Sequence, residues 1–398
     1  MELRSNWSQG INNRADAKAM PAGTVRDAVN VDPIVGGAFE LRTGFTQVQA
    51  AGAARGPLAV GRKVLYADGP ALYSFDVDQG VRQLLAEVDG AGRLVGDVLN
   101  EELFFCTETE TWRFDGKVLR AWGVPTVTSQ PLPAIGQGGL AAGYYQVAAT
   151  FIDAHGDEGA TSSPLLLQVP AGSSLQFDLL APPPGGKVRL YVGPREGGAL
   201  YLQFEGAGQA SVGVLRDDTA RLETANLRGP LVADFIAARG GVLYLAAGSV
   251  LWFTLPFRPH LRDASRGFFQ YPAPIDLVVA VDGGVYVCAD KTYFLSNPET
   301  DEPGGRTVFE HGAVRGTALV LPDGRAAWMT RYGLAIGDDQ GLVALSSAAN
   351  FLPEQAGHGA AGLLEHNGNQ LVVTTLSPSR GGNPLAASDY YDVEVITP

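Results

Sequence analysis

The sequence predicts an all-β protein, a β-propeller of about six blades that carries an inserted β-sandwich domain. The first observation is a repeat of about 42 residues, in which two apolar strands with aromatic residues alternate with Gly-containing turns. A period of 40–50 residues is typical of four-stranded propeller blades. The second is composition: 51 Gly, 25 Pro and only 18% charged residues indicate short strands joined by tight turns. The third is one interval between repeats that is too long.

Six copies of the repeat define the blades. Their central residues are Tyr66, Phe105, Tyr244, Tyr286, Trp328 and Val372. Successive copies lie 39, 139, 42, 42 and 44 residues apart. The long step exceeds the 42-residue step by 97 residues, which is the size of a small β-sandwich. We therefore expect a second domain between the second and third blades.

The expected organisation has four parts. They are an N-terminal arm with a closing hairpin (1–50), the first part of the propeller (51–124), the inserted sandwich (125–228) and the second part of the propeller (229–398). Period-two alternation in Val29–Asp32 and Phe39–Arg42 predicts the hairpin. We expect this hairpin to complete the last blade, because ring closure removes exposed sheet edges.

The inserted domain follows a stiff, Pro-rich linker, Pro125–Pro133. We interpret Gly136–Gly143 as further linker, because this Gly-rich segment precedes a strand where a dinucleotide fingerprint requires a helix. The predicted strands are Tyr144–Ile152, Leu165–Val169, Leu175–Leu179, Val188–Val192, Leu200–Phe204 and a last one near Val212–Leu215. The strand and turn Tyr145–Gly159, with the later Val188-Arg189-Leu190-Tyr191, resemble a fibronectin type III module over about residues 137–225.

Charge and cysteine content exclude several classes of function. A net charge of −13 without a Lys/Arg cluster argues against nucleic-acid binding. DNA can still pass such an acidic surface as cargo. Cys106 and Cys288 lie in apolar strands and are expected to be buried, reduced thiols. A polar N-terminus and the lack of a long apolar run predict a protein made in a cytoplasm, without a secretion signal or membrane insertion.

The sequence contains no recognisable catalytic, cofactor-binding or metal-binding motif. We therefore expect that the protein is not an enzyme. The five histidines are scattered, without the spacing of zinc ligands. Asp153–Glu158 is either a Ca²⁺ loop or, as we favour, a solvated hairpin turn. The doublets Asp217-Asp218 and Asp338-Asp339 are either paired catalytic carboxylates or, as we favour, turns, because adjacent residues of a strand point to opposite faces.

The aromatic residues of the repeat have two interpretations, a sugar-binding platform or core packing between blades. Core packing is favoured, because these residues recur in register with apolar Val and Leu. The segment Arg258–Asp263 is the longest polar interruption in a blade and predicts a loop that contacts a neighbouring subunit. The expected subunit-contact residues are Arg14, Arg258, His260, Arg262 and Arg266.

Two stretches of the chain resemble a known family. The first comprises Gly10–Arg14, Met20–Asp32 and Leu41–Phe45; the second comprises Val250–Phe253, Arg266–Phe269 and Asp282–Val287. Both resemble virion proteins of tailed bacteriophages, in particular propeller-bearing tail proteins of the nozzle or hub kind. The resemblance implies a disc in a ring of subunits through which DNA leaves, and some family members carry inserted sandwich modules.

The function expected from this resemblance is structural. The chain would be a nozzle- or hub-like ring protein of the virion tail, assembled with copies of itself and with other tail proteins. The alternative is a receptor-binding or fibre-attachment protein that contacts the host surface. A polysaccharide-degrading propeller enzyme is the third hypothesis.

Overall fold

A computed structural model describes residues 7–34, 37–42, 44, 47–88, 92–298, 300, 304–346, 350–366 and 369–377, with the backbone alone at 17, 33, 366 and 369. Within these ranges the chain is all-β apart from one 3₁₀ turn, Ala17–Ala19. Asp16 caps this turn by accepting a hydrogen bond from the Lys18 amide at 2.7 Å. No helix in the described part of the chain is long and apolar enough to cross a membrane.

Five successive antiparallel sheets form the larger part of the molecule. Blade 1 contains β3 (Ala54–Val60), β4 (Lys63–Asp68), β5 (Ala71–Asp76) and β6 (Val81–Glu87); blade 2 contains β7 (Val95–Leu99), β8 (Glu102–Cys106), β9 (Thr111–Phe114) and β10 (Leu119–Ala121). Blade 3 contains β18 (Phe235–Arg239), β19 (Val242–Ala247), β20 (Val250–Leu255), β21 (Arg258–Arg262) and β22 (Phe268–Gln270). Blade 4 contains β23 (Leu277–Val281), β24 (Gly284–Cys288), β25 (Thr292–Ser296) and β26 (Gly304–Phe309); blade 5 contains β27 (Leu319–Val320), β28 (Ala326–Thr330), β29 (Gly333–Gly337) and β30 (Val343–Ser346).

Each blade is a meander, and the first strands of successive blades lie side by side. Strands pair in chain order within each sheet, with β22 as an additional partner of β20. The first strands β3, β7, β18, β23 and β27 contact one another in that order. Consecutive four-stranded sheets whose first strands are neighbours form a β-propeller, so the predicted fold class is confirmed. We call blades 1–5 the disc.

The aromatic residue at the centre of each blade repeat lies in the core. Tyr66, Phe105, Tyr244, Tyr286 and Trp328 are all buried. The rings of Tyr286 in blade 4 and Trp328 in blade 5 lie 5.2 Å apart across the boundary between those blades. The interpretation of these residues as core packing is confirmed.

Both cysteines are buried and free, as expected. Burial raises the pKa of the Cys106 thiol to about 11 and that of Cys288 to about 12. Both thiols are therefore neutral and unreactive near neutral pH.

Between blades 2 and 3 the chain forms two further sheets. One contains β11 (Ala134–Leu140), β14 (Ser173–Asp178) and β17 (Gln209–Val212) in the order β11-β14-β17; the other contains β12 (Gly143–Ile152), β13 (Leu165–Val169), β15 (Lys187–Val192) and β16 (Tyr201–Gly206) in the order β13-β12-β15-β16. The two sheets share one apolar core that includes Tyr145, Phe177 and Leu190. We call residues 134–212 the module. Its outer bounds at 125 and 228 and its likeness to fibronectin type III stay predictions.

Two strand predictions in the module are wrong. The Gly-rich segment expected to be a linker is strand β11, which pairs with β14. Glycine suits this strand because a Cβ at Gly138 would lie 2.6 Å from the Ser173 carbonyl oxygen. The last strand, β17, also begins and ends before the expected Val212–Leu215.

Two hairpins lie outside the five blades. The N-terminal hairpin, β1 (Val31–Pro33) with β2 (Phe39–Leu41), forms where the sequence predicts it. Its expected place in the last blade stays a prediction; among the described strands β1 and β2 pair only with each other. The second hairpin, β31 (His358–His366) with β32 (Asn369–Ser377), follows blade 5 and forms a two-stranded sheet at the sixth repeat.

Candidate functional site

A buried cluster of charged side chains lies where blade 2, blade 3 and the module meet. Arg113 on β9 is its centre, with a side chain that is only 5% exposed. Its guanidinium Nη2 donates to Asp157 Oδ2 at 2.6 Å and to Asp153 Oδ2 at 3.4 Å, both on the module. Its Nε lies 3.8 Å from Glu102 Oε1 on β8. One Arg therefore links its own blade to the module.

The turn after β12 presents the module's carboxylates to this Arg. Asp153 Oδ1 accepts hydrogen bonds from the amides of His155 and Asp157, both at 2.9 Å. Gly156 has a φ of +91°, a conformation that favours glycine. The local sequence thus builds a tight turn that directs Asp157 toward Arg113. The turn predicted at Asp153–Glu158 is confirmed, but its expected solvation is wrong, because the Asp153, Asp157 and Glu158 side chains are only 21%, 29% and 19% exposed.

This turn offers its carboxylates to protein cations. Arg113 occupies an oxygen of each Asp, and Glu158 Oε2 accepts from Arg189 Nη1 at 2.8 Å. Glu158 Oε1 also accepts from the Thr150 and Tyr191 hydroxyls at 2.6 and 2.8 Å. No group of three or more candidate metal ligands occurs in the described part of the chain.

His260 on β21 joins the cluster from blade 3. Its Nδ1 lies 3.7 Å from Asp157 Oδ1, and the residue is only 7% exposed. Burial lowers the pKa of His260, although Asp157 opposes this effect. Burial raises the pKa of Asp157, but His260 and Arg113 outweigh it, so the net shift is downward. The turn of the module is therefore held by groups from both adjoining blades.

Further bonds surround the charged cluster. The buried Trp122, at the end of blade 2, donates its indole N–H to the Pro259 carbonyl of blade 3 at 2.8 Å. Ala160 of the module, Leu227 of the segment after it and Leu261 of blade 3 add an apolar contact. Sequence reasoning missed Arg113 and Trp122 as structural residues. The only local signal was the charge of Arg113 inside the apolar run Trp112–Phe114.

The structure corrects one of the five expected subunit-contact residues, His260, and leaves the role of the half-buried Arg262 a prediction. His260 is buried against the module, so it is not available to a neighbouring subunit. Arg262 stacks its guanidinium over the Trp252 ring at 4.5 Å and donates from Nε to the Gly229 carbonyl at 3.0 Å. The loop expected here is wrong as well, because Arg258–Arg262 is strand β21.

The other three residues lie on the surface. Arg14 is exposed, Arg258 forms a 2.6 Å ion pair with Glu223, and Arg266 is 83% exposed with its Nε 3.2 Å from Asp263. Arg266 also lines an open cleft with Phe253 and Phe268. A role of these three residues in subunit contact stays a prediction.

The two Asp doublets lie outside the strands. Asp338 Oδ1 accepts from the amides of Gln340 and Leu342, at 2.9 and 2.8 Å, and so closes the turn between β29 and β30. Asp217 and Asp218 lie in a bend between β17 and β18. These positions agree with the interpretation of both doublets as turns.

A second set of ion pairs connects blades of the disc. Arg93 of blade 2 and Arg315, before β27 of blade 5, both pair with Asp234, which precedes β18 of blade 3. Arg315 also lies 3.7 Å from Asp276, which precedes β23 of blade 4. Four successive blades are therefore joined by ion pairs close to their first strands.

Comparison with known proteins gives a limited result. No protein-family profile matches the sequence, and no curated protein matches it. Among solved structures, Sqt1 from Saccharomyces cerevisiae is 10% identical over 81% of this chain and 78% of its own, with a TM-score of 0.30. A streptogramin B lyase is 10% identical over 75% and 85% of the two chains, with a TM-score of 0.31. Likenesses this distant carry no argument about function.

Proposed function

We propose that this chain is a structural component of a bacteriophage tail, a nozzle- or hub-like ring protein at the distal end through which DNA is ejected. The observation that carries this proposal is the buried charged cluster around Arg113. It uses the acidic turn of the module to fix the module to the disc, whereas a binding or catalytic site would leave such groups open to a ligand. Rigid attachment suits a part that must keep its shape within an assembly.

Two features of the chain support this proposal. The resemblance to tail proteins covers the N-terminal segment and parts of blades 3 and 4, so it does not depend on one motif. The acidic composition suits a surface that DNA passes without being held. The proposed partners are copies of this chain and other tail proteins, and the proposed location is the virion tail after synthesis in the host cytoplasm.

Imaging of purified virions tests the proposal. An antibody against the isolated module should label the distal tail, and the reconstructed density there should accommodate a ring of discs. Absence of the protein from virions that still infect the host would overturn a structural role.

A receptor-binding role is the second candidate, and one observation favours it. The module exposes large apolar side chains on and beside its three-stranded sheet, with Leu132 75%, Ile135 50% and Val214 77% exposed. Exposed apolar groups of this kind often mark interaction surfaces. The isolated protein would then bind host cells, and Ile135→Ser with Val214→Ser would reduce binding. Unchanged phage adsorption after antibody block of the module would count against this role.

The proposal includes no catalytic activity. Incubation with purified host polysaccharide should release no new reducing ends. Release that is lost on mutation of Asp338, with Asp323 as the control position, would revive the enzyme hypothesis.

A further inference from the structure

We propose that the sixth blade is completed between subunits: hairpin β1–β2 of one copy adds to the edge of β32 in the next copy, an edge that no described strand covers. This inference rests on the ring assembly of the proposed function. It concerns the two hairpins that the disc leaves outside its five complete blades.

The β31–β32 hairpin occupies the inner half of a sixth blade. Strand β31 contacts β27, the first strand of blade 5. The Gly359 amide donates to the Arg315 carbonyl at 2.8 Å, and Arg315 also bridges to His358. Strand β31 is thus the first strand of its sector, and β32 is the second. The third and fourth strands that complete blades 1–5 have no counterpart in this sector among the described residues.

An open edge at β32 is energetically unfavourable. A strand edge exposes amide and carbonyl groups that can bind another strand, and native proteins usually cover or charge such an edge. Strand β32 is nine residues long and reads Asn-Gln-Leu-Val-Val-Thr-Thr-Leu-Ser, without a charged residue or proline. Val373 near its centre is 40% exposed. This edge therefore has the character of an interface.

The N-terminal hairpin has two strands, which is the number that the sixth sector lacks among the described residues. Strands β1 and β2 pair in register from Val31 with Leu41 to Pro33 with Phe39, and with no other described strand. A two-stranded hairpin is marginally stable in water and gains stability by joining a larger sheet. Leu41 is 78% exposed and Val29 just before β1 is 70% exposed, so its apolar side chains also lack a cover.

The N-terminal segment is anchored in a way that favours pairing with a neighbour. Asn13 accepts from the Leu352 amide and donates to the Leu352 carbonyl, both at 2.8 Å, just before β31 of the same chain. Residues 10–25 fold back on themselves through a bridge between Ile11 and Val25. From Arg26, which donates to the Ala15 carbonyl, only Asp27–Asn30 connect this anchor to β1. Four residues span at most about 13 Å.

This short connection limits the hairpin's choice of partner. The anchor lies beside the sixth sector, yet the hairpin pairs with no described strand there. The hairpin thus stands as a fixed arm on its own copy, with its edges open to a second copy. Each copy would donate one hairpin and accept one, which is a head-to-tail contact that closes into a ring.

A complementation experiment with the full chain tests the inference. Deletion of residues 27–42 removes the donor hairpin, and Val373→Lys places a charge at the acceptor edge, where it blocks strand addition. Light scattering should give each variant alone the monomer mass, while the unmodified chain gives a multiple of 41.8 kDa. An equimolar mixture should yield a heterodimer of about twice the monomer mass, because one variant keeps the acceptor and the other keeps the donor.

Controls make the outcomes distinct. Val373→Thr keeps a strand-forming residue and should assemble as the unmodified chain does. Circular dichroism should show the same melting temperature for Val373→Lys and Val373→Thr within about 3 °C, so that loss of assembly is not loss of folding. A chain ending at Ser377 should also assemble. If that chain is monomeric while the deletion of 27–42 assembles, assembly depends on residues 378–398 and not on the hairpin, and the inference is overturned.

Three other results would overturn the inference as well. The first is an unmodified chain that stays monomeric at every concentration, and the second is a mixture that contains only monomers. The third is that both single variants remain assembled, in which case the ring forms through another surface. That result removes this inference but leaves the proposed tail function intact, since virion labelling tests that function separately.

Discussion

The boundaries between blades and the boundary between disc and module are built from different chemistry. Blade 4 meets blade 5 through apolar side chains such as Tyr286, Ala326 and Trp328, all buried. The module meets the disc through Arg113, Asp157 and His260, which are charged or titratable groups. The first boundary depends on packing and the second on paired charges. The two should therefore respond to different mutations and to different solution conditions.

Trp328→Ala should give the largest effect, at the apolar boundary. Removal of a fully buried Trp costs about 3–5 kcal/mol in the free energy of unfolding, because lost burial is added to the cost of a cavity. Urea denaturation followed by circular dichroism measures this change. Trp328→Phe should cost less than half as much, since the indole N–H has no hydrogen-bond partner among the described residues. Equal losses in the two variants would contradict the packing argument.

Arg113→Met should weaken the attachment of the module. The change leaves Asp157, Asp153 and Glu102 without their shared cation. Loss of one partner of a buried pair costs about 3–5 kcal/mol, and about 2–3 kcal/mol is expected here because the carboxylates keep some contact with water. Calorimetry should show the module and disc unfolding in separate transitions. The exposed Arg266→Met is the control and should change stability by less than about 0.5 kcal/mol.

Mild acid should weaken the charged boundary before the apolar one. Burial holds the pKa of His260 below its ordinary value of 6.5, so the unfolded chain binds a proton at higher pH than the folded chain. Stability is therefore lost as the pH falls below 6.5 toward the folded pKa. Asp157, whose pKa is also lowered, adds a further loss below about pH 4.

His260→Gln isolates the contribution of the histidine. Between pH 7 and 5, one proton contributes a slope of at most about 1.4 kcal/mol per pH unit, and this variant should lose that part of the slope. Urea denaturation at several pH values measures it. His155→Gln changes a histidine in the exposed part of the same turn and should keep the slope. A slope that is unchanged in His260→Gln would exclude His260 as its source.

Chemical modification of the two thiols should give the smallest effect. It tests whether the blades around them are tightly packed. Cys106 and Cys288 are fully buried, and burial raises the pKa of both thiols. Iodoacetamide at pH 8 should leave both unmodified in the folded protein and modify both in 6 M guanidinium, as measured by mass spectrometry. Rapid modification of either thiol under native conditions would show that its blade opens locally.

The N-terminal hairpin and strand β11 show that a local sequence pattern predicts an element but not its tertiary pairing. The alternation in Val29–Asp32 and Phe39–Arg42 was sufficient to predict a hairpin, because the two strands of a hairpin are close in sequence and their pairing depends on local residues. It was not sufficient to predict the partner of that hairpin, because pairing between distant strands depends on where the chain places their edges. The Gly-rich strand β11 was missed for a related reason, since the close approach that favours glycine at Gly138 comes from Ser173 of the distant strand β14.

The sequence by itself determined the blade repeat, the buried aromatic residues and thiols, and the turn at Asp153–Glu158. Each follows from spacing or from chemistry within a short segment. Only the tertiary structure decided that His260 is buried against the module and that Arg113 joins the module to the disc. Asp157 and Arg113 are 44 residues apart in sequence, and their 2.6 Å bond forms only when the module folds back against blade 2. A single charged residue in a strand carries no signal of which distant carboxylate will neutralise it.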